Sequence, residues 1–244
     1  MYDMEEDLIP ISQAAEMLNI SIDTLRRWSE SGRFPSVRAT PTSHRYFSRQ
    51  AIEIFLNDLF ALAKDWISSG GELPAHFYCA NSAVFQTRLQ KMQDALGKID
   101  DEEIQKIFPL VGAVTGEIGN NSFDHNLGNW PDIPGIFFGY DANKRQVVLA
   151  DRGQGILSTL KRVRPELIDD KAALKVAFTE IVTGRAPEQR GNGLKFVKQV
   201  VTESLMGLSF QTGSAQLKLE RDSSDLNIED APKYYRGCIA LITF

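Results

Sequence analysis

The 244-residue chain is predicted to be an α+β protein, with a small helical unit at its N-terminus and a larger helix-and-sheet unit after it. Three observations lead there. Residues 9–56 hold two short amphipathic helix patterns separated by a tight turn, then a stretch rich in proline and serine. "SGGELPA", residues 69–75, has the composition of a linker. Beyond it helical periodicity runs to residue 126 and gives way to apolar runs of strand length. The expected division is 1–68 and 69–244, with the second unit beginning at that linker or within the helix before it.

The bulk composition is globular, with 43% apolar and 24% charged residues, so disorder is not the default. A net charge of -5 argues against a wholesale polyanion binder, although a local basic patch fits inside an acidic average. Cys79 and Cys238 are far apart and match no metal-ligand spacing, which leaves reduced thiols as the simplest reading. No apolar run approaches the ~18 residues of a membrane span, and the acidic start "MYDMEEDL" lacks signal-peptide character. The expectation is a cytoplasmic protein with no membrane partner.

In the N-terminal unit, Ser12 is placed to cap a helix carrying Ala14, Ala15 and Leu18 on one face. "NIS" turns the chain, Ser21 caps a second helix, "IDTLRRWSESG", and Gly32 closes it. Helix, three-residue turn and helix are the dimensions of a helix-turn-helix. "FPSVRATPTSHRYFS", with Val37, Tyr46 and Phe47, reads as a short hairpin or wing. Residues 49–68 read as one amphipathic helix, with Ile52, Phe55, Leu59, Leu62 and Trp66 near helical spacing.

Between Thr24 and Gln50 stand Arg26, Arg27, Arg33, Arg38, Arg45 and Arg49, opposed only by Glu30, a local balance of +5. That is the footprint of a nucleic-acid face, because guanidinium forks pair with guanine edges or grip phosphates. The pieces "QAAEMLNIS", "TLRRW", "G-x-F-P" and "HRYFS" resemble the winged helix-turn-helix of the MerR family and its excisionase-like relatives. The resemblance covers about 48 residues. It implies double-stranded DNA as partner, with the helix of Thr24, Arg26 and Arg27 in the major groove. The wing, with Arg38, His44, Arg45 and Tyr46, would then contact the backbone, and Trp28 would pack between the helices. The family's long dimerisation helix is only partly matched, and no cysteine-rich sensor segment is present.

In the second unit, Glu117, Asn121 and His125 recur at steps of four within "EIGNNSFDHN" and share one helical face. Taken alone, the triad is either a site or a solvated polar face. "GIFFGYD" and "RQVVLAD" follow as a buried hairpin whose second strand ends in Asp151, with Gly153 and Gly155 just beyond. Gly191 and Gly193 in "QRGNGLKFV" then open an amphipathic helix, and "LSFQTG", "AQLKLE" and "GCIALITF" read as three closing strands. A polar loop of about 15 residues is expected between the last two. An aspartate at a strand end beside Gly-x-Gly suits a purine amino group, and a glycine turn at a helix start suits phosphate oxygens. The amide oxygen of Asn121 suits Mg²⁺, and Glu117 can act on a water.

The order of these pieces resembles the GHKL ATPase superfamily: "EIGNNSFDH" its N box, "DRGQGI" its D-x-G-x-G box and "RGNGL" its second glycine box. The resemblance covers roughly residues 77–244. It implies a Bergerat fold, a two-layer α/β sandwich with a mixed sheet, holding ATP and Mg²⁺. Asp151 would recognise adenine, with Gly153 and Gly155 lining the adenine and ribose side. Asn121 would bind the metal, Glu117 would take the catalytic acid/base position, and Gly191 and Gly193 would hold phosphates. His125 is either a ligand or a packed histidine. A lid is expected over about residues 157–190, and Arg185, Arg190 and Lys195 are either phosphate contacts or solvated cations.

With no two-helix phospho-acceptor ahead of the site, autophosphorylation is not expected. The chain ends at its last strand, so slow hydrolysis or binding alone is expected. The first functional expectation is a homodimeric DNA-binding regulator switched by ATP. A serine/threonine kinase acting on a protein partner is the second, and a nucleotide-free scaffold on DNA is the third.

Overall fold

The computed structural model of the protein describes residues 8–32, 34–38, 40, 43–181, 193–223 and 225–244. Strand β1 (Leu8–Pro10) leads directly into α1 (Ile11–Leu18). Pro10 takes the cap position, so Ser12 lies inside the helix and does not cap it as expected; strand pairing through Pro10 sets the start instead. Asn19 ends α1 in the left-handed conformation that short polar side chains tolerate. Ser21 caps α2 (Ile22–Glu30) as expected, its hydroxyl accepting from the Thr24 amide at 3.0 Å. The wing pairs Val37 with Tyr46, and β2 (Tyr46–Ser48) then pairs with β1. Leu18, Leu25, Trp28, Phe34, Phe47 and Ile52 fill the core beneath, with Trp28 only 4% exposed between the helices.

The single helix expected over 49–68 is two. Helix α3 (Arg49–Asn57) stops at Asp58, whose carboxylate accepts from the Ala61 amide at 3.0 Å and starts α4 (Leu59–Ser69) afresh. An Asn-Asp pair inside an apolar periodic run was the available signal, since both residues favour caps over helix interiors. The break has a large consequence. Leu59, Leu62, Ala63, Trp66 and Ile67 of α4 pack against Phe137, Val148, Ala150 and Ile239 of the C-terminal sheet. Helix α4 precedes the expected linker, and its apolar face packs on the sheet.

That sheet has five strands in the order β3 (Tyr78–Cys79), β4 (Ile136–Asp141), β5 (Gln146–Asp151), β7 (Asn227–Thr243), β6 (Gly207–Leu219). Every neighbouring pair is antiparallel, which corrects the expected mixed sheet. The physical reason is insertion. Strands β5 and β6 run the same way, as the helical crossover between them requires, but β7 lies between them and turns each contact antiparallel. "LSFQTG" and "AQLKLE" form one strand, β6, which bends through a bulge at Gly213. Much of the expected polar loop pairs with it as the first half of β7.

On the face opposite α4 lie α5 (Ser82–Leu96), α6 (Glu102–Asn126), α8 (Asp170–Thr179) and α9 (Gly193–Thr202). The expected two layers are therefore three over the middle of the sheet. Leu174 and Phe178 of α8 join the main core, so the ten residues of α8 within the lid expected over about 157–190 form a packed helix. Residues 182–190 of that lid lie outside the described residues. Helices α5 and α6 approach closely because α6 presents Gly112, Gly116 and Gly119 to Gln93, Leu89 and Phe85. A methyl group at Gly119 would sit 2.1 Å from the Phe85 ring, which is fully buried and has no room to swing. Gly119→Ala is expected to lower stability by about 1–3 kcal/mol through overpacking, read as a shift in denaturation midpoint.

Candidate functional site

The hairpin β4–β5 delivers Asp151 to the sheet end beneath the C-terminal third of α6. Its carboxyl is 2% exposed; Oδ2 accepts from the Ser122 hydroxyl and Oδ1 from the Gly153 amide, both at 2.8 Å. Burial pushes its pKa up to about 6, partly offset by those two donors and by a backbone bond to Cys238. Asn126 locks the turn: its Nδ2 donates to the Ser122 carbonyl and its Oδ1 accepts from the Gln154 amide, each at 2.8 Å. Gly153 has no room for a side chain, because a methyl there would fall 2.1 Å from Asn126 Nδ2. Gly155 has φ +76°, where a side chain is strained, and faces the Thr212 hydroxyl, which in turn accepts from the Ile156 amide at 3.1 Å.

A cavity opens beside this network, and Asn121, His125, Asp151 and Gly155 all line it, with Ile156, Leu194 and Phe210 supplying apolar walls. Gly193 meets the same helix face from the other side. A methyl at Gly193 would lie 2.7 Å from Glu117 Oε2 and 3.2 Å from Asn121 Nδ2. Residues more than 70 positions apart in sequence thus share one site. His125 is exposed at the cavity wall, and Lys195, on the first turn of α9, does not line the cavity. Arg185, Arg190 and Gly191 lie outside the described residues. Sequence reasoning missed Ser122, Asn126 and Thr212. Ser122 lies on the Asn121 side of α6, and Thr212 directly precedes the Gly213 bulge; only spatial proximity to Asp151 marks them.

The cavity is small, about 90 Å³, and its buried carboxyl and apolar walls can accept a hydrogen bond from a donor group held against them. Among the described residues no three His, Cys, Asp or Glu side chains cluster as a metal site. A divalent cation at Asn121 would therefore take most of its ligands from phosphate and water.

On the N-terminal unit, α2 turns Arg26 and Arg27 outward while Thr24, Leu25 and Trp28 point inward. Thr24 is 6% exposed, and its hydroxyl donates to Glu72 rather than facing solvent. Arg26 pairs with Asp23 at 2.8 Å, Arg27 with Glu72 at 2.5 Å and Arg45 with Glu30 at 2.5 Å. Arg45 is largely covered, whereas Arg38, His44 and Tyr46 of the wing are exposed. The local balance read from sequence counted Glu30 alone; Asp23 and Glu72 lie outside that window and face the same arginines.

Residues 10–47 match the profile of the MerR family regulatory protein. They form a MerR-family helix-turn-helix domain. Over 53 residues the chain is 42% identical to the transcriptional repressor DcmR of Methylorubrum extorquens (strain DSM 6343 / CIP 106787 / DM4). That alignment covers 22% of this chain and 20% of the repressor, so the chain spans about a fifth of the curated relative it matches. Among the described residues no helix is long and apolar enough to cross a membrane.

The raised pKa of Asp151 carries a sign. Its folded value near 6 lies above the ordinary 3.8, so between about pH 4 and 6 the folded state binds more protons than the unfolded chain. The stability it contributes is present below about pH 4 and is lost as pH rises to about 6 and beyond. Asp151→Asn is expected to flatten the pH dependence of stability between about pH 4 and 6, because an amide does not titrate there. Urea melts of both proteins across that range check it.

Proposed function

We propose that the chain is a DNA-binding transcriptional regulator of MerR type whose C-terminal unit is a GHKL-type domain that binds ATP with Mg²⁺. The DNA half is supported by the match over residues 10–47 and by the outward arginines of α2 and the exposed wing. The nucleotide half is supported by one observation above the rest: described residues from three separate stretches, Asn121 and His125, Asp151 and Gly155, and Leu194, line a single cavity. Beside it, Gly193 closely approaches Glu117 and Asn121.

In this reading Asp151 accepts from the adenine amino group. The ligand's donor then offsets the desolvation that burial imposes on the carboxylate. Asn121 holds the cation, and the Gly193 turn brings backbone close to the phosphates at the start of α9. Bound Mg-ATP would supply a transferable phosphoryl group, and Glu117 stands one turn from Asn121, where it can orient a water. The antiparallel sheet and the packed α8 depart from the pattern the resemblance implies. The working unit is a homodimer, since one wing-and-helix module reads a half-site and two read a pair.

Titration of Mg-ATP into the full chain by calorimetry, with oligomeric state recorded in the same samples, is the direct test. Saturable binding is expected from the wild type, with complete loss in Asp151→Asn and loss of the Mg²⁺ dependence in Asn121→Ala. No heat from the wild type at millimolar nucleotide would remove ATP from the proposal. For DNA, Arg26→Ala is expected to weaken binding and to lower the salt-dependence slope by about one unit, the signature of one lost phosphate contact. An unchanged slope and affinity would take α2 off the DNA.

A further inference from the structure

The recognition helix is already holding an anion. Glu72, in the segment after α4, accepts from the Thr24 hydroxyl through Oε2 and from Arg27 Nη2 through Oε1, each at 2.5 Å. The two donors lie one turn apart on α2, and the two acceptors lie 45 and 48 residues away, so the contact is tertiary. A carboxylate with both oxygens engaged this way has the chemistry of a phosphate oxygen pair. While it stays, Arg27 cannot grip a DNA phosphate, and the Glu72 charge repels the backbone. Arg27 and Glu72 are both more than half exposed, so solvent screens the pair and it can exchange for a stronger anionic partner.

The position of Glu72 is set from the pocket loop. Arg152 lies between Asp151 and Gly153, and its Nη1 donates to the Trp66 and Ile67 carbonyls at 3.0 and 2.6 Å, in the last turn of α4. Its guanidinium packs against Gly70, where a methyl would fall 2.9 Å from Nη2, two residues ahead of Glu72. Asp132 holds the other edge of Arg152 at 2.6 Å. One loop therefore carries the carboxyl that faces the cavity and the arginine that fixes the end of α4. A groove of about 1030 Å³ lies between α2 and α4, with Arg27, Asp65 and Glu72 on its walls, which leaves space for the segment to shift.

We propose that Glu72 is a built-in competitor of DNA for Thr24 and Arg27, held in place by Arg152 of the loop that lines the Asp151 cavity. The proposal rests on the reading of α2 as the DNA-facing helix and makes that helix self-masked in the unliganded chain. The test is the affinity of the full chain, free of nucleotide, for a random-sequence duplex of about four helical turns at about 50 mM salt. Glu72→Gln keeps the size and one acceptor but drops the charge, and it is expected to bind about tenfold tighter than the wild type. Adding Arg27→Ala is expected to erase the gain. Arg152→Lys keeps the ion pair with Asp132 but cannot span both α4 carbonyls, and it is expected to tighten binding in the same direction.

Glu72→Gln binding no more tightly than the wild type overturns the competitor, and unchanged binding by Arg152→Lys overturns its anchor. If no variant, nor the wild type, binds duplex, the DNA reading fails and takes the competitor with it. Because no nucleotide is present, a tightening by Glu72→Gln stands whatever calorimetry says about ATP.

Discussion

The structure turns on one buried carboxyl. Asp151 ends β5 under α6 with only 2% of its surface exposed, so its two oxygens rely on protein donors. Ser122 and the Gly153 amide meet them, and Asn126 fixes both donors by bonding the Ser122 carbonyl and the Gln154 amide. These bonds pin the end of α6 to the turn after β5. Pinning α6 there also sets Glu117 and Asn121 against Gly193, because both polar positions ride on the same helix. Gly237 completes the arrangement from β7: it has φ +89°, and a methyl on it would strike the Asp151 carbonyl oxygen at 2.1 Å.

The pleat then does the rest. Successive side chains of β5 point to opposite faces, so Val147 and Leu149 enter the core under α5 and α6 while Val148 and Ala150 meet α4. Continued past the strand end, the same alternation sends Asp151 toward the cavity and Arg152 toward the last turn of α4. Two neighbouring residues thus serve two layers. The alternation makes α4 a third layer and links the cavity to the segment that touches α2. A chain with α4 extended rigidly from α3 would have no such connection; the cap at Asp58 permits it.

Much was legible from local signals. The cap at Ser21, the turn at Asn19, the buried hairpin ending in Asp151 and the glycine opening of α9 follow from residue types whose preferences act within a few positions. The triad on α6 was visible because helical spacing is itself local. Less legible were features that depend on competition between neighbours. Pro10 displaced Ser12 as cap because β1 pairs with a strand 38 residues on, and α8 joined the core where a lid was expected because Leu174 and Phe178 found apolar partners on the sheet side.

By itself the sequence determined the periodic elements, the MerR-type segment and the candidate polar positions, since each is written in spacing and side-chain chemistry. The tertiary structure alone decided which of those positions meet. Strand order put β7 between β5 and β6 and made the sheet antiparallel, a choice that no single strand encodes. Proximity brought Ser122, Asn126 and Thr212 to the site, and it set Glu72 on Thr24 and Arg27 across a gap that no window of composition spans. The physical reason is the same throughout. Propensity acts over a few residues, whereas the pairing of a buried or partly buried charge is settled by whatever the fold brings within hydrogen-bond reach.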